Sequence, residues 1–502
     1  MKLSFKLALG TMLILSLVFL NSCKKKEKEQ INAKTEIAYN KLEVESLCES
    51  NWFPHSQTPA PEEGIGSPFD TISTTNAIFH QWSWQKFLWL TKPEYQIEKL
   101  FVKQDGKDVP LYVGEILPLF LNPKKIYQVD SHLGSVTPVP GASVVLEDTA
   151  QAGSSGILRT NPAYNSVHNK EETVFYSIHV SPTLKNAAEK FKDSILNGTL
   201  AKDNLSSFPV GSLELKVSWT SIDAIPENKR GNYFTTVGAV DDGKGNFINK
   251  EVALLGMHVV GVVENHPEFI WATFENYDLA PNYNWKEDKA SSSTDKLLFA
   301  KGSTTGIDGI YWDTITKQPS KLYKAYDLFK FGVPRDSVGN LMKTSQQEPV
   351  NFDNIQNINT CVKKNLKDVW KNYFYNGSIW IDTDGLNTKE QAKLLVKLGG
   401  SIGSATVGSK ARGSLNSANV TMETFTQTFN SSLKHIKVDN LANCFSCHNA
   451  VSYTKKSSNT SPIYLSHIFD AYIKRAEGKT FNEVEMLKAK QEVKMFIKNR
   501  LK

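Results

Sequence analysis

The run Cys444-Phe445-Ser446-Cys447-His448 constrains this chain more than any other feature. Two cysteines three apart share one helical turn, and the histidine that follows sits beside them. Such a stretch has to fold around something that two thiols and an imidazole reach together. The pattern CxxCH is the attachment signature of c-type haem. The thiols form thioethers with the two vinyl groups, and the histidine binds iron from the proximal side. The competing reading is half of a zinc site. Zinc takes about four ligands, and no second cysteine pair of this kind is present. The expectation is one covalently attached haem c, held by Cys444, Cys447 and His448.

The amino end supports that expectation. Met1 to Lys6 is short and basic, and Leu7 to Leu20 is apolar. This is the length of a signal-peptide core and too short for a spanning helix. It ends in Leu20-Asn21-Ser22-Cys23, which resembles a lipobox, although Asn21 stands where a small residue is more usual. The prediction is a lipoprotein signal over 1–22 and a lipid anchor on Cys23. Residues 23–45, which include Lys24-Lys25-Lys26-Glu27-Lys28-Glu29-Gln30, then form a charged tether. An exported chain fits the motif, because haem of this type is attached outside the bacterial cytoplasm. The tether is less acidic than surface display usually asks for, so the periplasmic face of the cell envelope is expected.

Five cysteines are present. With Cys23 lipidated and Cys444 and Cys447 on haem, Cys48 and Cys361 remain. In an oxidising compartment they can form a disulfide; two separate buried thiols are the other possibility. The formal charge of +6 on 502 residues does not point to nucleic acid. Hydrophobic residues make up 40% of the chain, enough for a real core, and no other apolar run is long enough to span a bilayer.

The fold class expected is α+β: a β-rich antiparallel body over 46–400, opened by an aromatic helix, and a helical haem-bearing region over 401–502. Ala77 to Leu90 places aromatic residues on helix faces. Leu213 to Trp219 alternates as a half-buried strand does. Tyr233–Val240, the turn Asp241–Asn246 and the chain from Phe247 read as a hairpin. Val252–Val263 is almost continuously apolar, as in a central strand. Ser181-Pro182 and Asn197-Gly198 bracket a helix. Short strands and turn chemistry suggest a sandwich or barrel-like body. Residues 275–400 read as long loops with one short strand, Gly377–Asp382, and Glu483–Leu501 reads as a final helix.

A haem iron has a second axial position. Met422, placed on a helix just upstream of the motif, and His467, in an apolar setting downstream, are the two candidates, and an open position is the third. A separate constellation, His258 with Glu264 to Glu275 and Trp271 among them, puts polar groups in apolar strands. It reads either as a substrate or partner pocket or as ordinary strand packing. Asp241-Asp242-Gly243-Lys244-Gly245 lacks the twelfth-position glutamate of a calcium loop and reads as a turn. No GxSxG, HExxH or phosphate-loop pattern occurs.

Gly211–Trp219, Gly256–Val260, Phe269–Glu275, Thr421–Phe425 and CxxCH follow one another in that order. This resembles a group of exported bacterial proteins with a single C-terminal c-type haem motif, cytochrome c-like lipoproteins with no established common reaction. The resemblance covers most of 150–450 and implies the haem, a shared architecture and, more weakly, Met422 as ligand; it names no substrate. Together these readings predict a membrane-anchored monohaem cytochrome that transfers electrons to or from a redox protein partner. The alternatives are a haem-dependent oxidoreductase with a substrate site in the β-rich body, and a redox or gas sensor.

Overall fold

In the computed structural model the chain divides into two compact units, Met1–Glu49 and Ser50–Lys502. The residues described are 48, 52–53, 63–70, 76–104, 106–151, 157–280, 293–301, 312–313, 318–319, 351–383, 385–399, 410–414, 419–423, 444–453 and 459–500. Cys23, the signal segment and the tether lie outside them. Cys48 and Cys361 are each disulfide-bonded.

The protein is α+β, as its patterning predicts. The order of elements begins with helix α1 (Asn76–Thr91), the hairpin β1 (Pro93–Gln104) and β2 (Lys107–Pro118), β3 (Tyr127–Val129), β4 (Val144–Leu146) and β5 (Val174–Val180). Helix α2 (Pro182–Leu196), β6 (Leu213–Ser221), β7 (Thr235–Asp241), β8 (Phe247–Val263) and β9 (His266–Asn276) follow. After the short pair β10 (Trp312–Asp313) and β11 (Gln318–Pro319) come α3 (Asn351–Asn365), β12 (Tyr373–Ile381), α4 (Thr388–Leu398) and β13 (Ala411–Gly413). The carboxyl end carries α5 (Cys444–Cys447), α6 (His467–Ala476) and α7 (Phe481–Arg500).

Nine strands form one sheet in the order β13-β12-β9-β8-β6-β5-β3, with β7 beside the first half of β8 and β4 beside β7. Among the described strands only β4 and β7 run parallel. The apolar run in β8 is central, between β6 and β9, because both of its faces are covered.

The expected sandwich or barrel is replaced by one open sheet with helices on both faces. On one face α1 supplies large rings. Phe79 stacks on Trp380 at 3.9 Å, and Phe87 stacks on Phe274 at 4.2 Å. Trp82 lies so close to β8 that a Cβ on Gly261 would come within 2.7 Å of its ring. Leu215, Val217 and Trp219 of β6 are fully buried. The other face takes α2, α4, α5 and α6. One hydrophobic cluster there joins Ile178, Val260, Phe269 and Ile379 of the strands to Leu184, Leu395, Phe445 and Phe469 of those helices. The alternation in β6 therefore marks two covered faces, one of them polar in its middle, rather than one dry and one wet.

Local signals start the helices. Ser181 accepts a hydrogen bond from Leu184 N at 3.2 Å, with Pro182 at the first helical position of α2. Asn387 and Glu390 form a capping box on α4. Residues 275–400, read from sequence as long loops with one short strand at Gly377–Asp382, hold that strand within β12 and, among the described residues, the helices α3 and α4 as well. β12 pairs with β9, and β13, beyond residue 400, pairs with β12. The expected boundary at 400/401 therefore does not separate a body from a haem region: the same sheet carries both. Among the described residues no helix is long and apolar enough to cross a membrane.

Candidate haem site

Helix α5 is a single turn. His448 N donates to Cys444 O at 2.8 Å, so Cys444, Cys447 and the start of His448 belong to one turn, as the motif requires. Phe445 points into the core and is fully buried, which pins the turn to the sheet. Neither Cys444 nor Cys447 is in a disulfide. Burial, with the Glu423 carboxylate adding to it, pushes the Cys444 thiol well above its ordinary pKa, so it stays protonated.

His448 is oriented from three sides. Its Nδ1 lies 2.9 Å from the carbonyl of Leu465, and since a carbonyl only accepts, Nδ1 carries the proton. The lone pair is then on Nε2, the nitrogen that proximal haem ligands use. Trp271 of β9 packs against the ring at 4.1 Å, and His467 stacks on it at 3.9 Å with an interplanar angle of 26°. Burial, and then the neighbouring His467, hold the imidazole well below the usual histidine pKa, so it is neutral and able to donate to a metal.

The chain after the motif is built to hold this arrangement. Ser461 N donates to Ala450 O at 2.9 Å. Ser466 caps α6 and donates to Glu214 Oε2 of β6 at 2.9 Å, so the helix start is tied to the sheet. Asp470, fully buried in α6, accepts from Ser452 Oγ at 3.0 Å and Tyr453 N at 2.8 Å. Burial raises its pKa, against the opposing charge of Lys474 and those two hydrogen bonds. This clamp fixes the spacing between the CxxCH turn and α6, and with it the Leu465 carbonyl.

The two candidates for the second axial position stand in different surroundings. Met422 lies in a turn rather than a helix, and it is fully buried in a second cluster with Leu158, Tyr176, Leu255 and Val420. That cluster shares no member with the one holding Phe445. His467 is beside His448, not across from it. Two imidazoles on one iron meet end-on through the metal, whereas these rings lie face to face. His467 Nε2 also donates to Cys447 O at 3.1 Å.

Between the two clusters runs a polar seam, of which sequence reading singled out His258 and Glu275 but not the strand β6 members or the turn that docks on it. In register, Lys216 of β6, His258 of β8 and Thr273 of β9 share one row, and Ser218, Gly256 and Glu275 share the next. The turn 419–423 docks on it. Asn419 Nδ2 donates to Thr273 Oγ1 at 3.0 Å, Val420 N donates to Glu275 Oε1 at 2.9 Å, and Ser218 and Thr421 hydroxyls bond at 2.7 Å. His258 Nε2 meets Glu423 Oε1 at 2.6 Å. Gly256 permits the approach, since a Cβ there would come within 2.8 Å of Asn419 Nδ2. In the constellation read from sequence either as a pocket or as ordinary strand packing, His258 shares a sheet face with Trp271, the residue that packs on His448. Of its other members, His266 and Glu268 form a buried pair at 2.9 Å. Their pairing along β9 has no sequence signal beyond a two-residue spacing.

The donor set fits a c-type haem: two thiols on one turn, and an imidazole whose outer nitrogen is engaged and whose inner nitrogen keeps its lone pair. No family model, no curated protein and no solved structure matches this chain.

Proposed function

We propose that the protein is a lipid-anchored, periplasm-facing monohaem cytochrome c that transfers electrons to and from a redox protein partner. The observation that carries this reading is the hydrogen bond from His448 Nδ1 to Leu465 O, made on a turn that presents two thiols. It sets the tautomer that a proximal ligand needs, and it is made by a segment clamped for the purpose by Asp470.

Haem c supplies a one-electron couple between ferric and ferrous iron. The chain's part is to hold that group by Cys444, Cys447 and His448, and to keep its proximal ligand from rotating between Trp271 and His467. A rigid, preorganised ligand field suits electron transfer, because little has to move when the charge changes. Trp271, on which a separate substrate site would be built, packs on His448 instead, and this supports a single-site reading over an oxidoreductase. The lipid anchor on Cys23 and the periplasmic location rest on the lipobox-like sequence alone.

The test is haem staining after denaturing electrophoresis of cell fractions. The expected result is a stained band of the mature chain in the membrane fraction, resistant to acid–acetone extraction and lost in Cys444→Ser/Cys447→Ser. Haem that washes out of the wild-type chain refutes the reading.

A further inference from the structure

We infer that His258 is the second axial ligand of the iron, with Glu423 as the residue that positions it. This rests on the c-type haem reading above.

The first ground is placement. His258 shares a sheet face with Trp271: Thr273 is its direct partner on β9, and Trp271 is the diagonal neighbour. Diagonal pairs in an antiparallel ladder lie about 7–8 Å apart. Trp271 in turn packs on His448 at 4.1 Å. His258, from β8, and its partner Glu423, from a turn 165 residues further on, thus stand beside the strand residue that packs on the haem motif.

The second ground is the state of the ring. The Glu423 carboxylate accepts, so Nε2 of His258 carries the proton and Nδ1 keeps the lone pair. Nδ1 makes no hydrogen bond among the described residues, and the side chain is 19% exposed. Glu423 is itself fixed, its other oxygen accepting from Asn419 N at 2.8 Å. A metal-binding histidine characteristically gives its other N–H to a carboxylate or a backbone carbonyl. His258 does the first and His448 the second. Each imidazole thus has one nitrogen tied down and the other left to donate, Nε2 on His448 and Nδ1 on His258.

The third ground is that other donors among the described residues are engaged otherwise. Met422 is core packing, and His467 is stacked on the proximal ring. His266 is buried against Glu268 and the rings of Phe69 and Phe79 on the α1 side. His179 is buried with its Nε2 on Ser177. Docking of the 419–423 turn does not explain His258, because Asn419, Val420 and Thr421 already anchor it.

Two imidazoles lower the potential of a c-type haem relative to imidazole and thioether. A partner matched to a low-potential couple follows from this. The Glu423 carboxylate, by drawing on the His258 N–H, makes that imidazole a stronger donor and lowers the potential further.

The experiment uses the purified, haem-loaded full chain, with a pyridine haemochrome assay on every variant to show that haem is attached. Ferric wild-type protein is expected to be six-coordinate and low-spin, without the weak far-red band of methionine ligation. His258→Ala is expected to give a high-spin ferric spectrum and a ferrous form that binds CO, and added imidazole restores the low-spin spectrum. His258→Met, which keeps a donor at the position, is expected to introduce the far-red band and raise the midpoint potential. Glu423→Gln stays low-spin with a raised potential. A low-spin spectrum that His258→Ala leaves unchanged overturns the inference, as does a wild-type protein that is high-spin or shows the methionine band. In those cases attached haem leaves the cytochrome reading standing; absence of haem from the wild type overturns both.

Discussion

Met422→Ala separates packing from ligation in a single substitution. Met422 has no exposed surface and sits among Leu158, Tyr176, Leu255 and Val420. Cutting a buried methionine back to alanine loses transfer energy and leaves a cavity, together about 2–5 kcal/mol. Collapse into that cavity is limited, because the turn is held by Asn419 and Val420 on β9 and by the hydrogen bond from the Tyr176 hydroxyl to Thr421 O. The upper half of that range is therefore expected. Unfolding entropy of about 2.1 cal/mol/K per residue, over a unit spanning Ser50–Lys502, makes each kcal/mol worth roughly 1 °C, so the midpoint falls by about 3–5 °C. Met422→Leu, which conserves volume, is expected to cost less than about 1.5 kcal/mol. The assay is thermal unfolding followed by circular dichroism, with the ferric spectrum and midpoint potential recorded on the same samples. All three proteins are expected to share one spectrum and one potential. A variant of undiminished stability whose spectrum turns high-spin, or whose potential falls, refutes the argument and returns Met422 to the iron.

Gly261→Ala drives a Cβ to within 2.7 Å of the rigid Trp82 ring, and it is expected to cost about 1–3 kcal/mol while leaving the haem spectrum alone. In chemical denaturation, Trp82→Phe in the same chain relieves part of that loss; equal stability of Gly261→Ala and wild type contradicts the α1 packing. Asp278 gives a pH dependence. Burial opposes its charge, but hydrogen bonds from Tyr164 and Lys296 and the charge of Lys229 outweigh burial, so its folded pKa lies below 3.8. The carboxylate's contribution to stability is then complete above its unfolded pKa and is lost as pH falls through the lower folded value. Asp278→Asn is accordingly expected to be destabilised relative to wild type at neutral pH, with the gap closing below about pH 4; a gap that widens in acid refutes the sign.

Much of the local structure was legible in the residues because its causes are local. The Ser181-Pro182 cap, the Asp241–Asn246 turn and the apolar run of β8 each carry their own instruction, and each forms where it was expected. The CxxCH turn belongs with them: its chemistry depends on a spacing of a few residues, and α5 realises it. In the segment 275–400 the short strand was legible and forms within β12, but α3 was missed because its Asn-rich sequence owes its place to tertiary partners, with Asn359 Nδ2 donating to Tyr375 O of β12.

The surroundings of His448 had no local signal. Leu465 contributes a backbone carbonyl, which any residue supplies, so no side chain advertises it. Trp271 reads as core aromatic until the register of β8 and β9 turns it toward the motif. Met422 and Glu423 are adjacent, and position upstream of the motif together with the resemblance favoured the sulfur as the ligand. The docking of one short turn on the polar seam sends Met422 into the core and Glu423 to His258. The sequence by itself determined that two thiols and an imidazole would share one turn, because a helical turn is a property of consecutive residues. Which groups would stand around that imidazole was decided only by the tertiary structure, because the neighbours come from strands and turns whose register is set by the packing of the whole sheet.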